Sequence, residues 1–76
     1  MEHLYHGGWD CACMANPILE GGFQAVVTCR SLISGQVQEP IVDLLVHAAA
    51  HEALCRAREM AMKWACENRH SIQSLR

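Results

Sequence analysis

The residues AAAHEALCRAREMAMKWACENR, from Ala48 to Arg69, contain neither Gly nor Pro. They are rich in Ala, Leu, Met, Glu and Arg, which have a low intrinsic cost in a helix. Apolar residues recur at intervals of three and four, the spacing of one helical face. This face consists of Ala50, Ala53, Leu54, Ala57, Ala61 and Trp64, with Met60 and Ala65 at its margin. We therefore predict one long amphipathic helix whose apolar face covers the core.

A second set of residues lies on the opposite side of this helix, at positions i, i+4, i+7 and i+11. We call it the helix seam, and it consists of Cys55, Glu59, Met62 and Cys66. An apolar stripe on an exposed helix face is typical of a partner-binding or self-association surface. Two other interpretations stay open: an ordinary exposed surface, since folded surfaces are largely apolar, and a thiol or metal site at the two cysteines.

Three strands are predicted upstream of the helix. The first covers residues 3–15, with a bulge or bend at Gly7-Gly8. The second covers residues 23–32, where apolar and polar residues alternate. The third covers residues 37–46 and should lie at a sheet edge, because Pro40 has no N–H to donate. Residues 41–46 are also compatible with the first turns of the helix, but their β-branched content favours a strand.

These elements predict a single small α+β domain over residues 1–76, a three-stranded antiparallel meander with one long C-terminal helix packed on one face (β-β-β-α). The polar residues from His70 to Arg76 are expected to fray. One helix covers only one side of a sheet, so the other side, bearing Ala12, Met14 and Val26, is a second candidate partner interface. We expect another protein or a second copy on it, and a homodimer would also enlarge the small core.

Charge and hydropathy restrict the partners and the compartment. The formal net charge is −2 with only six Lys and Arg, whereas a protein that binds a phosphate backbone needs a basic face. The charge therefore disfavours nucleic-acid binding, and a weak nucleic-acid-binding module stays an alternative. The N-terminus lacks the pattern of a signal peptide, and no apolar run reaches membrane-spanning length, so we expect a cytoplasmic protein with no membrane partner.

The five cysteines are expected to be reduced and to act as small apolar residues. Alternation places Cys11 and Cys13 on one strand face, and Cys29 could face the same way from the next strand. These three thiols could supply a metal site, so a thiolate metal-binding or redox protein is an alternative. A nucleophilic cysteine would need a base such as His47 or His51 brought near by tertiary structure. We predict no cofactor, no metal and no catalytic residue.

The chain resembles a group of small proteobacterial proteins of unknown function. The shared features are Tyr-x-Gly near the N-terminus, Gly-Gly-aromatic before the second strand and a Glu-Ala-rich helix ending in Trp-x-x-Glu-Asn. Here they are Tyr5 with Gly7, Gly21-Gly22-Phe23, and Glu52-Ala53 through Trp64, Glu67 and Asn68. The resemblance covers nearly the whole chain, implies a β-β-β-α fold and carries no catalytic residue.

The layout is also similar to part of a double-stranded-RNA-binding domain, although His51-Glu52 stand where that family has lysines. In its small, compact form, though not in any motif, the chain is similar to phage-encoded inhibitors of the anti-CRISPR type. We therefore predict a small non-enzymatic protein-binding module. One form of it is a phage or mobile-element inhibitor or regulator that binds a larger bacterial protein complex.

Overall fold

The computed structural model describes residues 1–70 and contains four strands and one helix. The strands are β1 (Glu2–His6), β2 (Trp9–Pro17), β3 (Phe23–Ser31) and β4 (Ile41–His47), and they are followed by α1 (Ala50–Asn68). The strands form one antiparallel sheet in the order β1-β2-β3-β4, and α1 packs on one face of it. The predicted α+β class, antiparallel meander and C-terminal helix are confirmed.

The predicted number of strands is wrong, because Gly7 and Gly8 do not form a bulge. Both have positive φ, 60° and 86°, as the two central residues of a type I′ hairpin turn require. The chain therefore reverses, and residues 2–6 pair with residues 9–13 in an antiparallel register. A Cβ atom on Gly7 would also collide with Arg69 at the end of α1, so this turn needs glycine for space as well as for conformation.

β4 and α1 both begin later than the sequence predicts. Val37 makes only an isolated bridge to Arg30, and regular pairing begins at Ile41, one residue after Pro40. The helix begins at Ala50 rather than Ala48, and residues 41–46 belong to the strand. The side chain of Glu52 accepts a hydrogen bond from the N–H of Ala49 at 3.4 Å, which fixes the first turn. Within residues 1–70, no helix is both long enough and apolar enough to cross a membrane.

The core lies between α1 and the two central strands. Its buried residues are Trp9, Cys11 and Cys13 from β2, Ala25, Val27 and Cys29 from β3, and Ala57, Ala61 and Ala65 from α1. Leu54, Met60 and Trp64 are half-buried beside it. The predicted helical face is thus confirmed except at Ala50, which is exposed because the helix begins there, beyond the area that the sheet covers.

Trp9 closes the core at the end where α1 terminates. Its ring packs edge-on against Trp64 with centroids 4.6 Å apart, and its Nε1–H donates to the carbonyl of Asn68 at 2.7 Å. His70 stacks on the other side of the same ring at 4.8 Å and donates its backbone N–H to the Gly7 carbonyl. The prediction that the tail frays is therefore wrong at His70. Residues 71–76, to which the prediction also applied, lie outside the described residues.

We expect Ala57→Leu to lower the free energy of unfolding by about 1–3 kcal/mol. Ala57 is fully buried against the sheet, so a larger side chain must push α1 away from the central strands. The measurement is urea denaturation followed by circular dichroism. Ala50→Leu in the exposed first turn is the matched control and should leave the stability nearly unchanged. Equal stability of the two variants would contradict this account of the core.

Candidate interaction surface

β4 is an edge strand that exposes an unusual amount of apolar surface. Its exposed side chains are Val42 (46%), Leu44 (83%), Leu45 (63%) and Val46 (57%), and we call these four residues the β4 surface. Pairing with β3 is interrupted between Gln24 and Val26, and Leu44 and Leu45 lie opposite this irregularity. An edge strand also carries unpaired N–H and C=O groups along its free side. The β4 surface thus combines apolar side chains with free backbone hydrogen-bonding groups.

A shallow cleft of about 310 Å³ lies between β4 and α1. Its apolar lining comes from Ile41, Val42, Met60 and Trp64. The Nε–H of Arg56 on α1 donates to the carboxylate of Asp43 on β4 at 2.7 Å. This hydrogen bond and the adjacent N–H of Leu45 hold the pKa of Asp43 below its ordinary value. The only acidic residue of β4 is therefore ionised and already paired with a cation.

The opposite edge, β1, is polar. Glu2 forms an ion pair with Arg58 of α1, and the same strand carries His3 and His6. Charged and polar side chains on an edge strand discourage pairing with another chain. The two edges of the sheet therefore differ, and β4 is the one that lacks such protection.

The open face of the sheet, which α1 does not cover, is apolar toward β4 and polar toward β1. The predicted interface residues Ala12, Met14 and Val26 lie on it and are half-buried. Val26 pairs with Val42 of the β4 surface, so the apolar part of this face is continuous with that surface. The structure thus brings one predicted patch next to a surface that sequence reasoning did not identify as exposed.

The polar part of the open face is built around Asp10, which is only 7% exposed. His3 Nδ1–H donates to one carboxylate oxygen at 2.7 Å, and Arg30 donates to the other at 3.3 Å. The hydrogen bond from His3 lowers the pKa of Asp10, burial opposes it, and Arg30 lowers the pKa further. His3 lies on β1 and Arg30 on β3, so these contacts depend on the pairing of three strands.

The helix seam is exposed along its whole length, and the structure gives its two cysteines different neighbours. Cys55 Sγ accepts a hydrogen bond from Arg58, its neighbour one turn along, at 3.4 Å. Cys66 Sγ lies 3.4 Å from His6 Nε2 across the end of the sheet. The histidine in contact with Cys66 is therefore His6, whereas sequence reasoning considered His47 and His51.

The remaining three cysteines are buried under α1. Cys11, Cys13 and Cys29 share the covered face of the sheet, as the alternation predicts. Burial raises the pKa of each of these thiols, so they stay protonated near neutral pH. No group of three or more His, Cys, Asp or Glu side chains within residues 1–70 is arranged to hold a metal ion.

Sequence reasoning missed the exposure of β4, although one signal was present. Val42, Leu44, Leu45 and Val46 occupy both faces of the strand, whereas a strand with one covered face alternates. Pro40 had already placed this strand at an edge. An apolar run on both faces of an edge strand is the pattern that indicates an uncovered apolar surface.

We expect Asp10→Asn to destabilise the fold by about 1 kcal/mol at pH 7, since a neutral amide cannot replace the charge-assisted hydrogen bonds. The pKa of Asp10 is lowered in the folded state. Its contribution is therefore present above the unfolded pKa of about 3.9 and is lost as the pH falls through the folded value. Urea denaturation from pH 7 to pH 2 should show the two proteins converging in acid. Glu20→Gln, in an exposed loop, is the control, and a constant difference across this range would contradict the assignment.

Comparison of the chain with protein-family models, with curated proteins and with solved structures found no match. The resemblance to small proteobacterial proteins and to phage-encoded inhibitors therefore stays a prediction. A proposal about function therefore depends on the exposed surfaces of the structure.

Proposed function

We propose that this chain is a small, non-enzymatic protein-binding module that binds through the edge of β4, and that its partner is a second copy of the chain. The observation that carries the proposal is the β4 surface, four large apolar side chains exposed on a strand that pairs with β3 on one side only. Burying a Val or Leu side chain contributes about 1.5–3 kcal/mol. Strand pairing covers part of each of these side chains in both copies, and this burial acts together with new backbone hydrogen bonds against the cost of association, which is about 4–15 kcal/mol.

A second copy fits this edge for two reasons. Two β4 strands can pair antiparallel about a twofold axis, which places the same apolar residues against each other. β4 carries one carboxylate, Asp43, and Arg56 already neutralises it, so two facing strands meet without strong repulsion. Pairing at β4 would extend the sheet to eight strands and enlarge a core that is small in one copy.

Antiparallel pairing within one sheet places both helices on the same side, because the twofold axis is perpendicular to the sheet. The two helix seams would then lie on one face of the dimer, with their exposed Cys55, Met62 and Cys66 side chains. Such a doubled surface suits the binding of a larger protein complex with two contacts instead of one. This arrangement supports the predicted inhibitor or regulator role, which stays a proposal.

The proposal excludes catalysis by the buried thiols on chemical grounds. Cys11, Cys13 and Cys29 have raised pKa values caused by burial, and a protonated thiol is a poor nucleophile. Cys66 and His6 are close, but neither lines the cleft between β4 and α1. A binding role for the exposed apolar side chains therefore accounts for more of this surface than an enzymatic role does.

We expect the wild-type chain to be a dimer at about 50 μM and the variant Leu44→Lys to be a monomer. A lysine at Leu44 places two positive charges beside each other in the paired strands while leaving the core untouched. Sedimentation velocity and native mass spectrometry measure the change. Leu19→Lys, an equally drastic change at a fully exposed loop position, is the matched control and should stay dimeric.

Two results would overturn this proposal. One is a wild-type monomer at that concentration. The other is a dimer that persists in Leu44→Lys, which would place self-association on another surface such as the helix seam. Circular dichroism of each variant confirms that the fold is intact before the oligomeric state is compared.

A further inference from the structure

Cys11 and Cys29 face each other directly across the two central strands. They are partners in the antiparallel register of β2 and β3, and the Cys29 thiol donates to Cys11 Sγ with the two sulfur atoms 2.7 Å apart. A disulfide bond is about 2.05 Å long, whereas a van der Waals contact between carbon atoms is about 3.5–4.0 Å. The two sulfur atoms are thus closer than an ordinary non-bonded contact.

The backbone around the two cysteines also suits a cross-link. The N–H of Leu32 donates to the carbonyl of Gly8 at 2.8 Å, and hydrogen-bonded pairs alternate along an antiparallel ladder. Cys11 and Cys29, three positions further along this register, therefore form a non-hydrogen-bonded pair. In agreement, the Cys29 carbonyl accepts from Gln38, on the side away from β2. Such pairs have Cα atoms about 4.5 Å apart, inside the range of about 4.4–6.8 Å seen for disulfides.

The other cysteines do not share this geometry. Cys13 lies on the same face but faces Val27 across the ladder, and its thiol points toward the Cys11 carbonyl at 3.8 Å. Cys55 and Cys66 are on the exposed side of α1. All five cysteines lie in the described part of the chain. Among them, Cys11 and Cys29 are the one pair that lies directly opposite across the ladder.

We propose that Cys11 and Cys29 form a site of covalent modification, a cross-strand disulfide made by two-electron oxidation with a small-molecule disulfide such as oxidised glutathione. One protein thiol loses its proton, attacks the glutathione disulfide and releases one glutathione. The second protein thiol then loses its proton, attacks the mixed disulfide and releases the other. The protein loses two protons and two electrons, and one oxidised glutathione becomes two reduced glutathiones.

The covering helix controls when this reaction occurs. Both cysteines are buried, with exposures of 0% and 1%, and burial keeps their thiols protonated. Attack on an external disulfide needs an accessible thiolate, so exchange in the folded protein should wait for α1 to move away from the sheet. The bond should form readily during refolding and only slowly in the native protein, and once formed it should resist reduction for the same reason.

The test uses a chain in which Cys55→Ser and Cys66→Ser remove the exposed thiols. It is refolded from urea in oxidised glutathione, reactive thiols are blocked with N-ethylmaleimide, and the product is cut after glutamate. Cleavage after Glu20 separates Cys29 from Cys11 and Cys13, so a cross-link appears as a joined pair of peptides. We expect that joined pair, with two hydrogens fewer than the reduced peptides, and an upward shift in the urea midpoint.

Variants at the adjacent cysteines locate the bond. Cys13→Ser should keep the joined peptides, and Cys11→Ser should lose them. Fragmentation of the joined peptides from the parent chain places the bond without relying on the folding of a variant. Three blocked thiols with no joined peptides, or a bond between Cys13 and Cys29, would overturn the proposal. The oligomeric state of the chain does not affect this readout, so the result is independent of the proposed function.

Discussion

The close approach of α1 to β2 and β3 is the constraint on which the rest of the structure depends. Four buried alanines, Ala53, Ala57, Ala61 and Ala65, form the contact face of the helix. Because alanine has only one methyl group, the helix backbone lies near the sheet and little space remains for the side chains of the strands. The strands fill that space with Ala, Val and Cys, whose volumes are small. A thin core of this kind depends on tight packing rather than on large apolar side chains.

This constraint also decides which surfaces stay open. The helix is centred on β2 and β3, and ion pairs link it to the edge strands, Arg58 to Glu2 and Arg56 to Asp43. Exposed ion pairs contribute little to stability, so β1 and β4 are held mainly by pairing with their neighbours. Trp64 and Met60 reach toward β4 but leave a cleft there. The apolar side chains of β4 consequently lie beyond the area that a single helix can bury.

The sequence was sufficient for local features and insufficient for features that join distant residues. Helical periodicity identified the buried face of α1, and alternation identified the inward side of β2 and β3. The Gly7-Gly8 turn was misread because a bulge and a two-residue hairpin turn carry the same glycine signal, and only the pairing of β1 with β2 distinguishes them. The contacts of Asp10 with His3 and Arg30 join three strands, so no spacing in the sequence could reveal them.

The candidate interaction surface was likewise predictable only where it depends on a single element. The helix seam and the patch at Ala12, Met14 and Val26 could be predicted, because each depends on periodicity within a single element. The exposure of β4 depends on where the helix lies relative to the sheet. That position is set by the alanine face of α1 and by the ring of Trp9 against Trp64 and Asn68. Pro40 and the apolar run on both faces of β4 indicate an exposed edge strand, whereas the extent of its exposure depends on the position of the helix.

The alanine face also divides the cysteines into two chemical groups. Close packing favours a side chain between Ala and Val in volume, and cysteine meets this need at Cys11, Cys13 and Cys29. In the folded chain the same packing removes water from these thiols, raises their pKa and separates them from external reagents. The cysteines on the helix seam remain in contact with solvent. The chemistry of the three buried thiols is therefore governed by one structural variable, whether α1 is packed on the sheet.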